Sequence, residues 1–158
     1  DSFSVAKEIA KVAQDGGYDL ILTGKESIDY NGGAVPGMVA QLLNIPFVNA
    51  SVGLDVNGSE ATVVREIEGG KETISVKLPA VVAGQKGLVD EKDLIIPNMR
   101  GIMSARTKPL TVKEATETDV KVKAVSFDSV PARAQVKLVS ADNLDELVRL
   151  LHEEAKVI

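Results

Sequence analysis

The pattern of hydrophobic and polar residues opens with a helix that leads into a buried strand. Apolar residues recur at helical spacing, at Val5, Ile9, Val12 and Ala13. Ser2 or Ser4 is suited to cap the amino end of this helix, and Gly16 and Gly17 are suited to end it. The apolar run 20–22 then predicts a short buried strand. Together they indicate an α/β domain.

A second helix is predicted after a glycine-rich loop. The strand ends near Gly24, and the loop runs to about Val35. Pro36 suits the first helical position, because its missing N–H would have no partner there in any case. Apolar residues then form one face of the predicted helix, at Met38, Val39, Leu42 and Leu43.

Three strands joined by tight turns are predicted next. Polar and apolar residues alternate over 47–56, which is typical of a long, half-exposed strand that includes Ser51 on its polar side. The Asn-Gly pair at 57–58 is a strong hairpin signal, and residues 61–67 return as a second strand. A turn at 68–71 then leads to a third strand over 72–77.

The chain then returns to a buried strand. Pro79 ends the hairpin, and residues 80–83 form an apolar run. We therefore expect an antiparallel excursion that rejoins a parallel sheet. The excursion carries many charges, which form either a solvated face or a partner surface: Arg65, Glu66, Glu68, Lys71, Glu72 and Lys77.

Composition narrows the function without identifying it. The 158 residues are the size of one ordinary domain, and 44% hydrophobic content is enough for a core. The net charge of -5 argues against a nucleic-acid or anionic-membrane surface. No apolar run approaches the roughly 18 residues of a membrane span, so we expect no membrane insertion. No signal peptide is visible, and we expect a soluble, cytoplasmic protein.

Residues for acid–base, nucleophilic or metal chemistry are scarce. The sequence has no cysteine, so it has no disulfide, thiolate nucleophile or cysteine-bound metal. His152 is the one histidine, and we expect it to face solvent on the last helix. A Ser-His-Asp triad or a histidine-based metal site is therefore not expected. We assign no catalytic residue and no metal ligand.

The loop after the first strand is the best candidate for a binding site. Ligands of open α/β sheets lie beyond the carboxyl ends of the strands, and the following helix offers free N–H groups to an anion. Gly32, Gly33 and Gly37 would let a phosphate approach the backbone. The loop is not a Walker motif, because Asp19 stands where its first glycine would be. A nucleotide-phosphate site and a plain connection both stay open.

The hairpin excursion resembles the signature of the electron-transfer flavoprotein beta subunit family. The matching positions are Val63, Arg65, Glu68, Gly69, Gly70, Glu72, Ile74, Pro79, Val81, Val82 and Ala83. The flanking stretches "DLILTGKESID" and "IPNMRGIMSARTKPL" also resemble the family, so the resemblance covers nearly the whole chain. It implies the C-terminal half of a Rossmann-like nucleotide-binding domain, without the family's N-terminal part and its first strands.

The resemblance also implies a function. The beta subunit pairs with an alpha subunit, and the heterodimer carries FAD. It accepts electrons from acyl-CoA or other flavin dehydrogenases and passes them to a quinone reductase or another acceptor. It is an electron carrier rather than an enzyme, although bifurcating complexes exist in the family. In a eukaryote its location would be the mitochondrial matrix.

The beta subunit itself holds AMP or, in bifurcating members, a second FAD. The matching nucleotide-binding residues here are Gly24, Asp29, Asn31, Gly32, Gly33, Ala34, Val35, Gly37, Met38 and Val39. One departure concerns residues 34–37, where many members have Gln-Thr/Val-Gly-Pro/Gln and this chain has Ala-Val-Pro-Gly. Binding through backbone N–H groups does not need the missing glutamine side chain.

A second implied site lies after the buried strand. The family's matching loop docks on the dehydrogenase through a leucine. Gly87, Leu88 and Val89 occupy the apolar tip of the charged stretch 83–94, and Leu88 is the anchor by position. An exposed apolar pair is costly unless something covers it. Alternatively, Leu88 packs back onto its own domain.

The last part of the chain has a different character. Residues 110–139 are polar and extended, and they resemble the family's C-terminal arm, which wraps the alpha subunit. A last helix follows, capped by Ser140 or Asp142, with an apolar stripe at Leu144, Leu147, Val148 and Leu151. We therefore predict a nucleotide-binding domain over 1–109 and an arm for alpha-subunit association over 110–158. A non-redox regulatory or adaptor domain of similar fold is the alternative function.

Overall fold

The computed structural model describes residues 1–116 and 120–158. It divides into two compact units, Asp1–Lys123 and Ala124–Ile158. The first unit contains α1 (Ser2–Gly16), β1 (Leu20–Gly24), α2 (Ala34–Leu43), β2 (Phe47–Asn57), β3 (Glu60–Ile67), β4 (Gly70–Lys77), β5 (Ala80–Gly84) and α3 (Met99–Ala105). A single 3₁₀ turn, Glu91–Asp93, lies between β5 and α3. The second unit contains α4 (Leu144–Arg149), which continues as a π-helical turn over Leu150–Ala155.

One five-stranded sheet organises the first unit, in the order β1-β5-β2-β3-β4. β5 pairs in parallel with β1 on one side and with β2 on the other. β2, β3 and β4 form an antiparallel meander. The predicted α/β fold, with an antiparallel excursion that rejoins a parallel sheet, is therefore confirmed. Among the described residues, β1 is paired on one side only.

The core lies on both faces of β5. Val81 packs with Ala6 and Ala10 of α1 and with Val39 and Ala40 of α2. The next residue points to the opposite face, because side chains alternate along a strand. There Val82 packs with other residues of the sheet, namely Val48, Ala61 and Val63. Burial on both faces explains why β5 is a continuous apolar run rather than an alternating one.

Helix starts differ from the predicted ones by a few residues. The carboxylate Oδ1 of Asp1 accepts the N–H of Ser4 at 2.8 Å and caps α1, so the prediction of Ser2 or Ser4 as the cap was wrong. Ser2 and Ser4 already lie within α1, whereas the cap is the residue just before the helix. The predicted end was right, since Gly17 follows α1 with a left-handed φ of 62°. α2 begins at Ala34, two residues before Pro36.

The last helix also begins later than predicted. Asn143, rather than Ser140 or Asp142, caps α4 by accepting the N–H of Glu146. The prediction of the apolar stripe was only partly right: Leu144 is 64% exposed, and Leu150 is the buried residue.

The polar side of this helix faces solvent, and His152 is exposed as predicted. Acidic side chains at 146 and 153 bind the Arg149 guanidinium and raise its pKa.

A bulge in β2 overturns the expected exposure of Ser51. Val48 pairs with Val82, but Ser51 pairs with Gly84, so β2 has one extra residue between these two pairs. Ala50 takes up this residue with φ 52°, in the left-handed region. The bulge turns Ser51 inward, where it is fully buried, although simple alternation placed it on the half-exposed side.

The turn between β3 and β4 tests how far backbone conformation determines stability. Gly69 has φ 86°, its neighbour Gly70 has no positive φ, and an added Cβ at either meets no atom within 4 Å. Gly69→Ala should lower the free energy of unfolding by about 1–2 kcal/mol, because left-handed backbone is costly for an L-residue. Gly70→Ala is the matched control and should be neutral or slightly stabilising. Equal urea midpoints for the two variants would contradict this explanation.

Candidate functional site

The glycine-rich loop lies at the carboxyl edge of the parallel strands. The N–H of Lys25 donates to the carbonyl of Gly84 at 2.9 Å, which ties the start of the loop to the end of β5. The N–H of Ser27 donates to the carbonyl of Gly32 at 3.1 Å and closes the loop on itself. The loop is therefore a folded turn, and it leads directly into the start of α2.

The amino end of α2 offers backbone donors. Gly33 is the residue before the helix, and no side chain among the described residues caps it. The N–H groups of Ala34 and Val35 lie in the first turn of α2, where backbone N–H groups have no hydrogen-bond acceptor within the helix. Pro36 has no N–H and is buried. These donors and the positive end of the helix dipole would favour an anion.

One residue of the loop has unusual backbone geometry, and another has little space for a side chain. Asn31 has φ 53°, a left-handed conformation that asparagine tolerates better than most residues. A Cβ added to Gly33 would lie 3.3 Å from the carbonyl oxygen of Lys25, closer than most real contacts. A Cβ on Gly32 would meet nothing closer than the Ser27 hydroxyl at 3.7 Å. Gly33 is therefore the position in the loop that has the least space for a side chain.

A carboxylate stands beside the loop. The Ser27 hydroxyl donates to Oδ1 of Asp29 at 2.5 Å, and together with the backbone N–H of Tyr30 it lowers the pKa of this carboxyl. Asp29 is therefore ionised at neutral pH, as a carboxyl of ordinary pKa also is. Asp29 is fully exposed, so it is an available acceptor for a hydroxyl or amino group and would repel a phosphate.

The predicted nucleotide-binding residues lie together but differ in solvent exposure. The exposed members are Gly24, Asp29, Asn31, Gly32, Gly33 and Ala34. Val35 and Met38 pack partly against the core under α2, and Gly37 is half-buried beside the ring of Phe47. The side chain of Val39 is fully buried in that core. Their roles in binding stay a prediction.

The second predicted site is a loop held at its base. The N–H of Gln85 donates to the carbonyl of Ser51 at 2.9 Å, and its side-chain amide donates to Glu66 on β3. Gly87 has φ 103° and turns the chain. A Cβ on Gly84 would lie only 2.8 Å from Cδ2 of Leu88, so Leu88 folds back over the end of β5. Leu88 is half-buried and Val89 is 50% exposed.

Residues further along this loop are more exposed and were not selected from the sequence. Ile95 is 98% exposed and Ile96 is 76% exposed, just before α3. The sequence signal was present, since Leu94, Ile95 and Ile96 form an apolar run that belongs to no predicted element. The bond between Gln85 and Glu66 was also missed, because it joins residues that are distant in the chain.

An apolar groove lies between α1 and β1. Its volume is about 440 Å³, and Ile9, Val12, Tyr18, Leu20 and Leu22 form most of its wall. Side chains that could bind a metal do not gather in groups of three or more within 1–116 and 120–158. Over the same residues, no helix has the length and apolar character needed to cross a membrane.

Known proteins resemble the chain over its whole length. The sequence profile of the family described as "Electron transfer flavoprotein domain" matches residues 1–118. The electron transfer flavoprotein subunit beta of Bacillus subtilis is 34% identical over 100% of this chain and 64% of its own length. The subunit beta of Sus scrofa is 34% identical over 97% of this chain and 60% of its own. The mitochondrial subunit beta of Arabidopsis thaliana is 36% identical over 98% of this chain and 61% of its own length.

These matches decide the family. The chain spans less than two thirds of the length of each of these relatives. The profile covers most of the first compact unit, including the sheet, the glycine-rich loop and the loop after β5. The predicted family is therefore confirmed: the chain belongs to the electron transfer flavoprotein family, and the relatives named above are all beta subunits.

Proposed function

We propose that this chain is part of an electron-carrier subunit. With an alpha subunit it would form an FAD-containing heterodimer that takes electrons from flavin dehydrogenases and passes them to a quinone reductase or another acceptor. The family match over residues 1–118 carries the proposal. In such a subunit the flavin would supply the redox reactivity, and the protein would supply its position and its electrostatic environment.

We propose further that the glycine-rich loop holds an adenine nucleotide, either AMP or a second FAD. Phosphate would bind the amides at the start of α2, where no side chain of the described residues competes for them. The ionised Asp29 would repel phosphate, so it would accept hydroxyl groups of the ribose instead. Pro36 contributes no N–H, which limits phosphate binding in the first helical turn to the amides before it.

The loop after β5 is proposed to dock on a partner dehydrogenase. Leu88 is the anchor implied by the family resemblance, but it already contacts the end of β5. Ile96 and Ile95 have no such cover, and apolar side chains so exposed are typical of docking surfaces. We therefore propose that Leu88 and Gln85 shape the loop and that Ile96 inserts into the partner.

The second unit is proposed to bind the alpha subunit. Large apolar side chains of its extended part are almost fully exposed: Val125, Phe127, Val130, Val136 and Leu138. No helix or strand is formed between Ala124 and Ser140. An extended segment with exposed apolar residues gains stability when a groove of another protein covers them.

The nucleotide site is tested by substitution of the spatially restricted glycine. In the intact heterodimer, Gly33→Val should weaken AMP and FAD binding by the beta subunit at least about tenfold, because the added Cβ displaces the loop from Lys25. Gly70→Val is the matched control, because Gly70 begins β4 outside the loop and an added Cβ there meets no atom within 4 Å. Titration calorimetry measures both. Equal affinities for wild type and Gly33→Val would remove the loop from the proposal.

Docking is tested by comparing two apolar residues of one loop. Ile96→Ala should slow electron transfer from the dehydrogenase about thirtyfold at low concentration, since a buried anchor contributes about 2 kcal/mol. Flavin content and melting temperature should stay unchanged. Leu88→Ala should instead lower the melting temperature, because it uncovers the end of β5. An unchanged transfer rate in both variants would show that this loop does not dock.

The role of the second unit is tested by truncation. Deletion of residues 124–158 should abolish copurification with the alpha subunit, because it removes the exposed apolar residues of the arm. The urea midpoint of the remaining unit should change little, since its core lies within the sheet and the first two helices. A truncated subunit that copurifies fully would contradict alpha-subunit binding by the arm.

A further inference from the structure

The first part of the arm is held on α1 of its own domain. Residues 106–115 are exposed, but Thr116 is half-buried. The carboxylate of Glu8, in the second turn of α1, accepts the N–H of Thr116 at 2.5 Å through Oε1. Its other oxygen, Oε2, accepts the hydroxyl of Thr116 at 3.0 Å. Both oxygens of one carboxylate are therefore engaged by a single arm residue, in bonds strengthened by the charge.

A second attachment lies at the amino end of the same helix. Oδ2 of Asp1 accepts the N–H groups of Lys121 and Val122, the latter at 2.9 Å, while its Oδ1 caps α1. The ammonium group of Lys121 lies 6.0 Å from the ring centroid of Phe3, within the range of a cation–π contact. The two attachments lie along the first two turns of α1.

From these contacts we propose that Thr116 and residues 120–122 form an intramolecular strap, and that the strap prepares the arm for the alpha subunit. The binding surface for the alpha subunit then begins at Ala124, after the strap, and the first two turns of α1 are a docking surface for this chain's own arm. The inference rests on the proposed function only for the identity of the partner.

A physical reason links the strap to association. A free arm loses conformational entropy when it binds, and a binding segment fixed at its base loses less. The strap fixes the chain only a few residues before Ala124, so it also limits the volume that the segment searches. Glu8 and Thr116 are then positioning residues, which raise the affinity for the alpha subunit without touching it.

The experiment changes each side of the main attachment in the full-length subunit. Glu8→Ala removes both acceptors, and Thr116→Val removes the hydroxyl donor from the arm side. Glu8→Gln keeps an uncharged acceptor and should restore part of the effect. Asp15→Ala is the matched control. Asp15 is also an acidic residue of α1, but it lies near the carboxyl end of the helix and pairs with Lys11. Hydrogen exchange of the amides of Thr116 and Val122 reports the strap, and titration with the alpha subunit reports association.

The expected result is exchange at Thr116 at least about tenfold faster in Glu8→Ala, with association about fivefold to tenfold weaker. Asp15→Ala should match wild type in both measurements. Unchanged exchange in both Glu8→Ala and Thr116→Val would overturn the strap. Faster exchange with equal or tighter association would overturn its role in preparing the arm. Failure of the wild-type subunit to bind the alpha subunit would instead contradict the proposed partner, and the exchange data would still decide whether the strap exists.

Discussion

The structure depends on the placement of β5 between two strands that precede it in the chain. Its residues are buried on both faces, and its backbone pairs in parallel with β1 and β2. One five-residue strand thus connects the helix-covered core to the core within the sheet. It also determines where the loops lie, because Gly84 at its end accepts the N–H of Lys25. The glycine-rich loop and the loop after β5 consequently start from the same edge of the sheet.

The antiparallel meander has a second use beyond completing the sheet. Its charged side chains do not all lie free in solvent: Arg65 and Glu72 are register partners on β3 and β4 and form an ion pair at 2.7 Å. Glu66 binds the side chain of Gln85, which holds the base of the loop after β5. The charges predicted to form either a solvated face or a partner surface therefore include three that bind other residues of the domain. Exposed pairs of this kind contribute little stability, so their role here is positional.

The sequence predicted those features that local chemistry determines. The Asn57-Gly58 and Gly69-Gly70 turns follow from the backbone freedom of glycine, and the burial of β5 follows from its unbroken apolar run. Features that depend on distant residues were out of reach. The inward turn of Ser51 comes from a bulge that only pairing with β5 reveals. The hydrogen bonds between Glu8 and Thr116 likewise have no local signal.

β1 has the sequence of a strand that is paired on both sides. Edge strands are usually protected by charge, proline or a bulge, and the Leu-Ile-Leu-Thr-Gly sequence of β1 contains none of these. Within the described residues its outer side has no pairing strand, and Leu22 beside the apolar groove is well exposed. Such an edge is a template to which another strand can add. Pairing of this edge with a further strand would satisfy its free backbone groups and cover Leu22.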